Sequence, residues 1–353
     1  MSTRRATIAD VARAAGVSPS TASVVFSGKT PVSDATKQRV RDAAASLGYS
    51  GPDPRAASLR RGRSGIVGVV LEEHLGAAFL DPVTRLTMDG LTEAVAPLGA
   101  GLLLLRDSLG SPRDGSAPTL TTAPVDAAVL MGCSGSLRES LAAVLARRLP
   151  VVVIEGDAGD DVPQIRLDSR EAQRQAASHL RGLGHTRVAI LTLPLTNERA
   201  RGWVTAHAEA AITVDVTRDR LAGARDVFPD APAFASAGSS IDEGVRAGRE
   251  ILAGAGRRPT AVLAQSGVLA AGVIRAAEEA GLRVPEDLSV TGFDGVVVDG
   301  LAPYELTTLV QPATDKGRAA GEAVAAMLDG REAASIHFTC RFREGNTTAP
   351  APL

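Results

Sequence analysis

Residues 7–23 read Thr7-Ile8-Ala9-Asp10-Val11-Ala12-Arg13-Ala14-Ala15-Gly16-Val17-Ser18-Pro19-Ser20-Thr21-Ala22-Ser23, and the reading of the whole chain turns on them. Ile8, Val11, Ala12 and Ala15 recur at i, i+3, i+4 and i+7, one apolar face of a short helix. Thr7 stands at its N-cap, with Asp10 three residues on as an acidic variant of the capping box, and Gly16 ends it. Ser18 then caps a second helix that starts with Pro19, where the missing N–H costs nothing. Its inner face is Ala22, Val25 and Phe26, and Ser27-Gly28 stops it. Ser33 caps a third helix with the stripe Val40, Ala43, Ala44 and Leu47, closed by Gly48. Two short helices about a turn at Gly16, with a third closing the core, form a helix-turn-helix arrangement.

Charge sets this segment apart. Residues 1–63 hold eleven Lys and Arg against four acids, an excess of seven positive charges. The chain's net charge is −2, so the remainder carries nine negative charges. A basic terminal module on an acidic body suits a polyanionic partner. The outward side of the second helix is Pro19, Ser20, Ser23 and Val24, and in this geometry its N-terminal part meets base edges in the major groove. Hydroxyls at Ser18, Thr21 and Ser23 suit phosphate oxygens. The competing reading is a generic three-helix bundle with a solvated basic face.

Elsewhere the composition is that of a globular protein, 44% apolar and 22% charged. No apolar h-region follows the polar, basic start Met1 to Arg5, as a signal peptide would need, and no apolar run is long enough to span a membrane, so the cytoplasm is the expected compartment. Cys133 and Cys340 are the only cysteines, which leaves no disulfide framework and no metal pair.

The run from Thr7 to Ala12, Ala15-Gly16-Val17-Ser18, Thr21, Ser23, Val32-Ser33 and Leu47-Gly48-Tyr49 resemble the headpiece signature of the LacI/GalR (lactose-repressor) regulators over about 60 residues. The resemblance implies DNA contacts from Thr7, Ser18, Pro19, Ser20, Thr21, Ser23, Val24, Ser33 and Tyr49. It continues through 52–60, which in the family is a hinge helix that orders on operator DNA and levers a leucine into the minor groove. The matching leucine is Leu59. The chain departs from the family at Val24, where an arginine is usual; valine offers a base edge only apolar contact, as with a thymine methyl. Ala57 and Gly51 depart within the hinge.

Beyond residue 64, strand candidates at 66–71, 102–105, 127–131, 151–154, 188–193, 261–264 and 288–293 alternate with amphipathic stretches at 137–149, 170–183, 241–252 and 268–280. Regular βα alternation implies parallel sheets covered on both faces, with ligands at the carboxyl ends of the strands. The expected fold is therefore α/β: a helix-turn-helix headpiece (1–50), a hinge (51–63) and an effector-binding and dimerisation domain (64–353). Leu149-Pro150-Val151-Val152, Leu183-Gly184-His185, Gly292-Phe293-Asp294 and Gln311-Pro312 resemble the family's periplasmic-binding-protein-like sensor, two doubly wound parallel-sheet subdomains. That likeness puts one subdomain at about 64–167 and 311–340 and the other at about 168–310 and 341–353.

For the effector, the resemblance points first to Arg199 and Asp294, an arginine fork and a carboxylate able to bind neighbouring hydroxyls of a sugar. Trp203 matches an aromatic position on the same wall, and Ser266 replaces an asparagine usual in the family. Glu72, His74, Phe79 and Asp81 follow the first strand at the facing rim. The competing readings are a structural salt bridge for Arg199 and Asp294 and a core role for Trp203. Residues 215–240 carry no legible signal.

No enzyme motif survives. Gly28-Lys29-Thr30 lacks the upstream glycine of a phosphate loop, and Ser134 lacks the final glycine of a nucleophile elbow. His179 and His185 have the wrong spacing for a helical metal pair and read as structural. The expectation is a homodimeric repressor without cofactor that binds a pseudo-palindromic operator under control of a carbohydrate. A transport-associated solute receptor would lack the basic headpiece. A regulator answering to a partner protein is kept open by Ser266-Gly267.

Overall fold

The computed structural model describes residues 6–28, 30–51, 62–71, 75–106, 120–132, 137–254 and 258–352. The chain forms two compact units, 1–65 and 66–353.

The first unit holds α1 (Ile8–Ala15), α2 (Pro19–Ser27) and α3 (Asp34–Ser46). The α1 capping box is complete: Thr7 Oγ1 accepts from the Asp10 N–H at 3.4 Å, and Asp10 Oδ2 accepts from the Thr7 N–H at 3.0 Å. Gly16 takes the left-handed conformation, φ 64°, that lets the chain turn directly into Ser18. Ser18 Oγ accepts from the Thr21 N–H at 3.1 Å. Two expectations need correction. Ser33 precedes α3, but its hydroxyl donates to Thr36 Oγ1 at 2.9 Å and caps no backbone amide. Leu47 leaves the apolar stripe, since α3 ends at Ser46 and the side chain is exposed. The core is Val11, Ala12, Ala15, Ala22, Val40, Ala43 and Ala44, with Val25, Phe26 and Tyr49 packed against it.

The second unit contains two sheets. In one, β1 (Ile66–Leu71), β2 (Gly101–Arg106), β3 (Ala127–Met131), β4 (Val151–Ile154), β5 (Gln164–Leu167) and β12 (Ile336–Phe338) lie in the order β12-β5-β4-β3-β1-β2, every pair parallel. The other comprises β6 (Val188–Thr192), β7 (Gly202–Trp203), β8 (Ala233–Ala235), β9 (Ala261–Ala264), β10 (Ser289–Gly292), β11 (Thr307–Val310) and β13 (Arg341–Arg343). Its order is β13-β11-β10-β9-β6-β8-β7, parallel except for the edge strands β7 and β13. The chain passes between sheets after Leu167, after Val310 and between Phe338 and Arg341.

Helices α4 (Leu75–Leu80), α5 (Pro82–Val95), α6 (Leu137–Ala146), α7 (Ser169–Gly182), α8 (Ala206–Ala210), α9 (Asp215–Arg225), α10 (Ile241–Ala253), α11 (Gly267–Glu279) and α12 (Ala313–Leu328) cover the sheets. Leu91 and Val95 of α5 and Ala320 and Val324 of α12 bury one face of the first sheet, and α6 covers the other. The second sheet lies between α7 and α9 on one side and α10 and α11 on the other. Helices α5 and α12 approach so closely that a Cβ on Gly90 would stand 1.9 Å from the Thr314 carbonyl, and one on Gly317 1.9 Å from that of Thr87. His185 is fully buried, bonded to Thr260 Oγ1 at 2.9 Å and Ser289 Oγ at 3.1 Å, and burial lowers its pKa.

Candidate functional site

The strands of both sheets end at one cleft of about 240 Å³. Glu155, Asp294 and Gln311 follow strands and Asp81 and Ser266 cap helices, so backbone geometry aims them, while Arg220 reaches in from the middle of α9. Asp294 follows β10 with φ 81°, a left-handed conformation that a short polar side chain tolerates. It accepts from the Gly267 N–H at 3.2 Å, at the start of α11, and from Gln311 Nε2 at 2.7 Å. Arg220 stands 3.7 Å from the same carboxylate. Its guanidinium stacks 3.6 Å over the Phe293 ring and donates to the Gln265 carbonyl at 2.6 Å. Its buried Nε–H has no acceptor among the described residues.

On the other side, Lys316 of α12 donates to Glu155 Oε1 at 2.6 Å and to Gln311 Oε1. A continuous polar chain, Glu155–Lys316–Gln311–Asp294–Arg220, therefore joins the two subdomains. Burial pushes the Asp294 carboxyl above its ordinary range; the Arg220 charge opposes this and Asp81 adds to it. Burial alone would also raise Glu155, but the charges of Lys316 and Arg220, with the Lys316 hydrogen bond, outweigh it and hold that carboxyl low. Asp81 caps α5 through the Val83 and Thr84 N–H groups at 3.1 and 3.2 Å. Ser266 caps α11 and shares a hydrogen bond with Ser239 Oγ at 2.9 Å. Small polar oxygens and fixed charges of both signs can together hold a compact, hydroxyl-rich molecule.

Of the residues read from the sequence, the cleft brings together Arg199, Ser266, Asp294 and Asp81. Trp203 is not among them. Gly202–Trp203 forms an antiparallel edge strand, Gly202 opposite Ala235 and Trp203 opposite Phe234, so the chain runs back from the carboxyl ends of the strands. Phe79 lies on α4, 50% exposed and outside the cleft lining. Glu72 and His74 lie outside the described residues, as does Leu59.

Arg220, Lys316 and Glu155 were not singled out, although the first two left a trace. Thr217, Arg220, Leu221 and Ala224 fall at i, i+3, i+4 and i+7, as do Ala313, Lys316, Gly317 and Ala320, and all are buried. A cation on an apolar helix stripe is such a signal. Glu155 left none.

In the headpiece, Ser18, Pro19, Ser20, Thr7 and Ser33 are exposed, and Thr21, Ser23 and Val24 half-buried. The Ser18 hydroxyl is 2.8 Å from those of both Ser20 and Thr21, a connected hydroxyl face at the start of α2. Tyr49 packs edge-on to Phe26, ring centroids 5.4 Å apart, which makes its ring part of the headpiece packing. Among the described residues, no helix is long and apolar enough to cross a membrane.

A helix-turn-helix unit ahead of two doubly wound subdomains with a polar cleft between them has the architecture of a DNA-binding regulator with a ligand-sized cleft. Residues 7–51 match the family described as bacterial regulatory proteins, lacI family, and residues 177–348 match the periplasmic binding protein-like domain. An HTH-type transcriptional regulator of Mycobacterium tuberculosis is 36% identical over 329 residues, covering 90% of each chain. A LacI family transcriptional regulator from Corynebacterium glutamicum superposes with a TM-score of 0.70 at 28% identity, covering 98% of this chain and 100% of that one. The lac repressor dimer bound to operator and the anti-inducer ONPF gives a TM-score of 0.76 at 23% identity, over 98% of this chain and 100% of that one, a likeness of fold. The chain belongs to the lacI family of bacterial regulatory proteins and is a transcriptional regulator, not an enzyme.

Proposed function

We propose that the protein is a homodimeric repressor whose hold on a pseudo-palindromic operator is released by a carbohydrate of single-ring size bound in the cleft. The observation that carries this reading is the meeting of Asp294, Gln311 and Arg220 at the carboxyl ends of the strands. A carboxylate and a guanidinium side by side suit adjacent hydroxyls, one accepting and one donating. The free Arg220 Nε–H would gain an acceptor from a ligand oxygen. At about 240 Å³ the cleft is just below the ~300–1,000 Å³ typical of small-molecule sites, a size that favours a compact ligand of one ring. Arg199 and Ser266 also line it. Operator contact is assigned to the exposed start of α2, to Val24 against a thymine methyl, and to Leu59 as minor-groove wedge.

The test is selection of bound fragments from the source genome, followed by release with a panel of monosaccharides. Enrichment of a palindrome beside a sugar-uptake or catabolic cluster, and release by the sugar handled there, is the expected result. Leu59→Ala should weaken that operator without altering sugar binding. Binding with no sequence preference, or release by none of the sugars while another class of metabolite succeeds, would overturn the respective half of the reading.

A further inference from the structure

A second cavity, of about 570 Å³, lies at the amino ends of β6, β8 and β9, the opposite end of that sheet from the cleft. Its lining includes the buried ring of Phe228, the prolines Pro229 and Pro232, and Trp203. Trp203 is the chain's one tryptophan and is 44% exposed. It is held edge-on to Phe234 at 5.2 Å, so its position is set even though much of its ring faces open space. A ring held in place in this way offers a fixed apolar wall to the cavity.

Three guanidinium groups line the same cavity. Arg181 is already committed, lying 4.5 Å over Phe228 and donating to the Val227 carbonyl at 2.5 Å. Among the described residues, Arg187 bonds only through Nε, at 3.4 Å to the Arg258 carbonyl, and its two terminal nitrogens make no bond. The Arg258 side chain makes no hydrogen bond or ion pair among the described residues. Against these stands one lining carboxylate, Asp230. Uncommitted arginine forks match carboxylate and phosphate oxygens, and prolines beside an indole match a flat ring. The volume falls within the ~300–1,000 Å³ typical of small-molecule sites.

We propose that this cavity is a second small-molecule site that takes a planar aromatic anion, an aryl carboxylate or aryl phosphate, with its ring beside Trp203 and its charge at Arg187 and Arg258. It is separate from the effector cleft and does not depend on the sugar assigned there.

Because Trp203 is the sole tryptophan, its emission in the full-length protein reports on this cavity alone. Phenyl phosphate and benzoate are titrated beside inorganic phosphate. The expected result is a saturable change in emission with at least one aryl anion, at a tenfold or more lower concentration than any effect of phosphate. Whichever aryl anion binds more tightly identifies the anionic group. Arg187→Ala and Arg258→Ala, both exposed positions, should each weaken it tenfold or more, while Arg258→Lys retains part of the affinity and Asp294→Asn in the cleft leaves it unchanged. No saturable change with either aryl anion, an equal response to phosphate, wild-type affinity in both alanine variants, or loss in Asp294→Asn would each overturn the site.

Discussion

Asp294 shows how one residue can be both well bonded and poorly placed for its charge. It accepts two hydrogen bonds and faces Arg220, yet burial raises its pKa above the ordinary 3.8. A carboxyl raised in the folded state keeps its proton over a pH window in which the unfolded chain has released it. The stability it contributes is then greatest on the acid side of that window and is lost as pH rises from about 4 through the raised value. Asp294→Asn removes the titration. The thermal midpoint of the wild type, relative to that of the variant, should therefore fall as pH is raised from about 4 towards neutrality. A constant difference across that range would mean that Asp294 titrates as it does in the unfolded chain.

At the scale of elements, the cleft depends on how closely α5 and α12 pack. Lys316 reaches Glu155 and Gln311 from α12, while Asp81 and Thr84 face the cleft from the first turn of α5. Gly90 and Gly317 allow the two backbones to touch, and a methyl group at either would meet a carbonyl oxygen, which has no room to give. Gly317→Ala should lower stability by about 1–3 kcal/mol or more, as overpacking of a tight core does. Because the helix would move with Lys316, sugar binding should weaken as well. Denaturant titration and sugar binding on the same preparation check both; an unchanged midpoint would show that the helices separate without cost.

Across the whole molecule, positive charge is concentrated on residues 1–63 and negative charge on the remainder. A DNA complex held largely by that excess releases counterions from several phosphates per dimer. Operator affinity should then fall by about a thousandfold or more between roughly 50 and 200 mM salt. Binding of the sugar proposed for the cleft, which lies in the acidic body, should scarcely change over the same range. Fluorescence anisotropy of labelled operator measures the first; a shallow salt response would remove the basic segment from phosphate contact.

The headpiece was legible because its information is local. Caps at Thr7 and Ser18, the turn at Gly16 and an i, i+3, i+4, i+7 stripe each concern residues within one or two turns of one another. The longer strands and four sensor helices were legible for the same reason, as continuous apolar runs or amphipathic periods. Shorter strands such as β7, β8 and β13 were not, because two or three residues carry no period and owe their pairing to a neighbouring edge. Sequence likeness carried Arg199, Ser266 and Asp294 to the cleft wall. Only the tertiary structure decided that Trp203 stands at the far end of its sheet, and that Arg220 and Lys316 meet Asp294 and Gln311 from distant helices. Such contacts arise where two chain passages converge on the carboxyl ends of parallel strands. Residues brought together in this way share no sequence interval that could announce them.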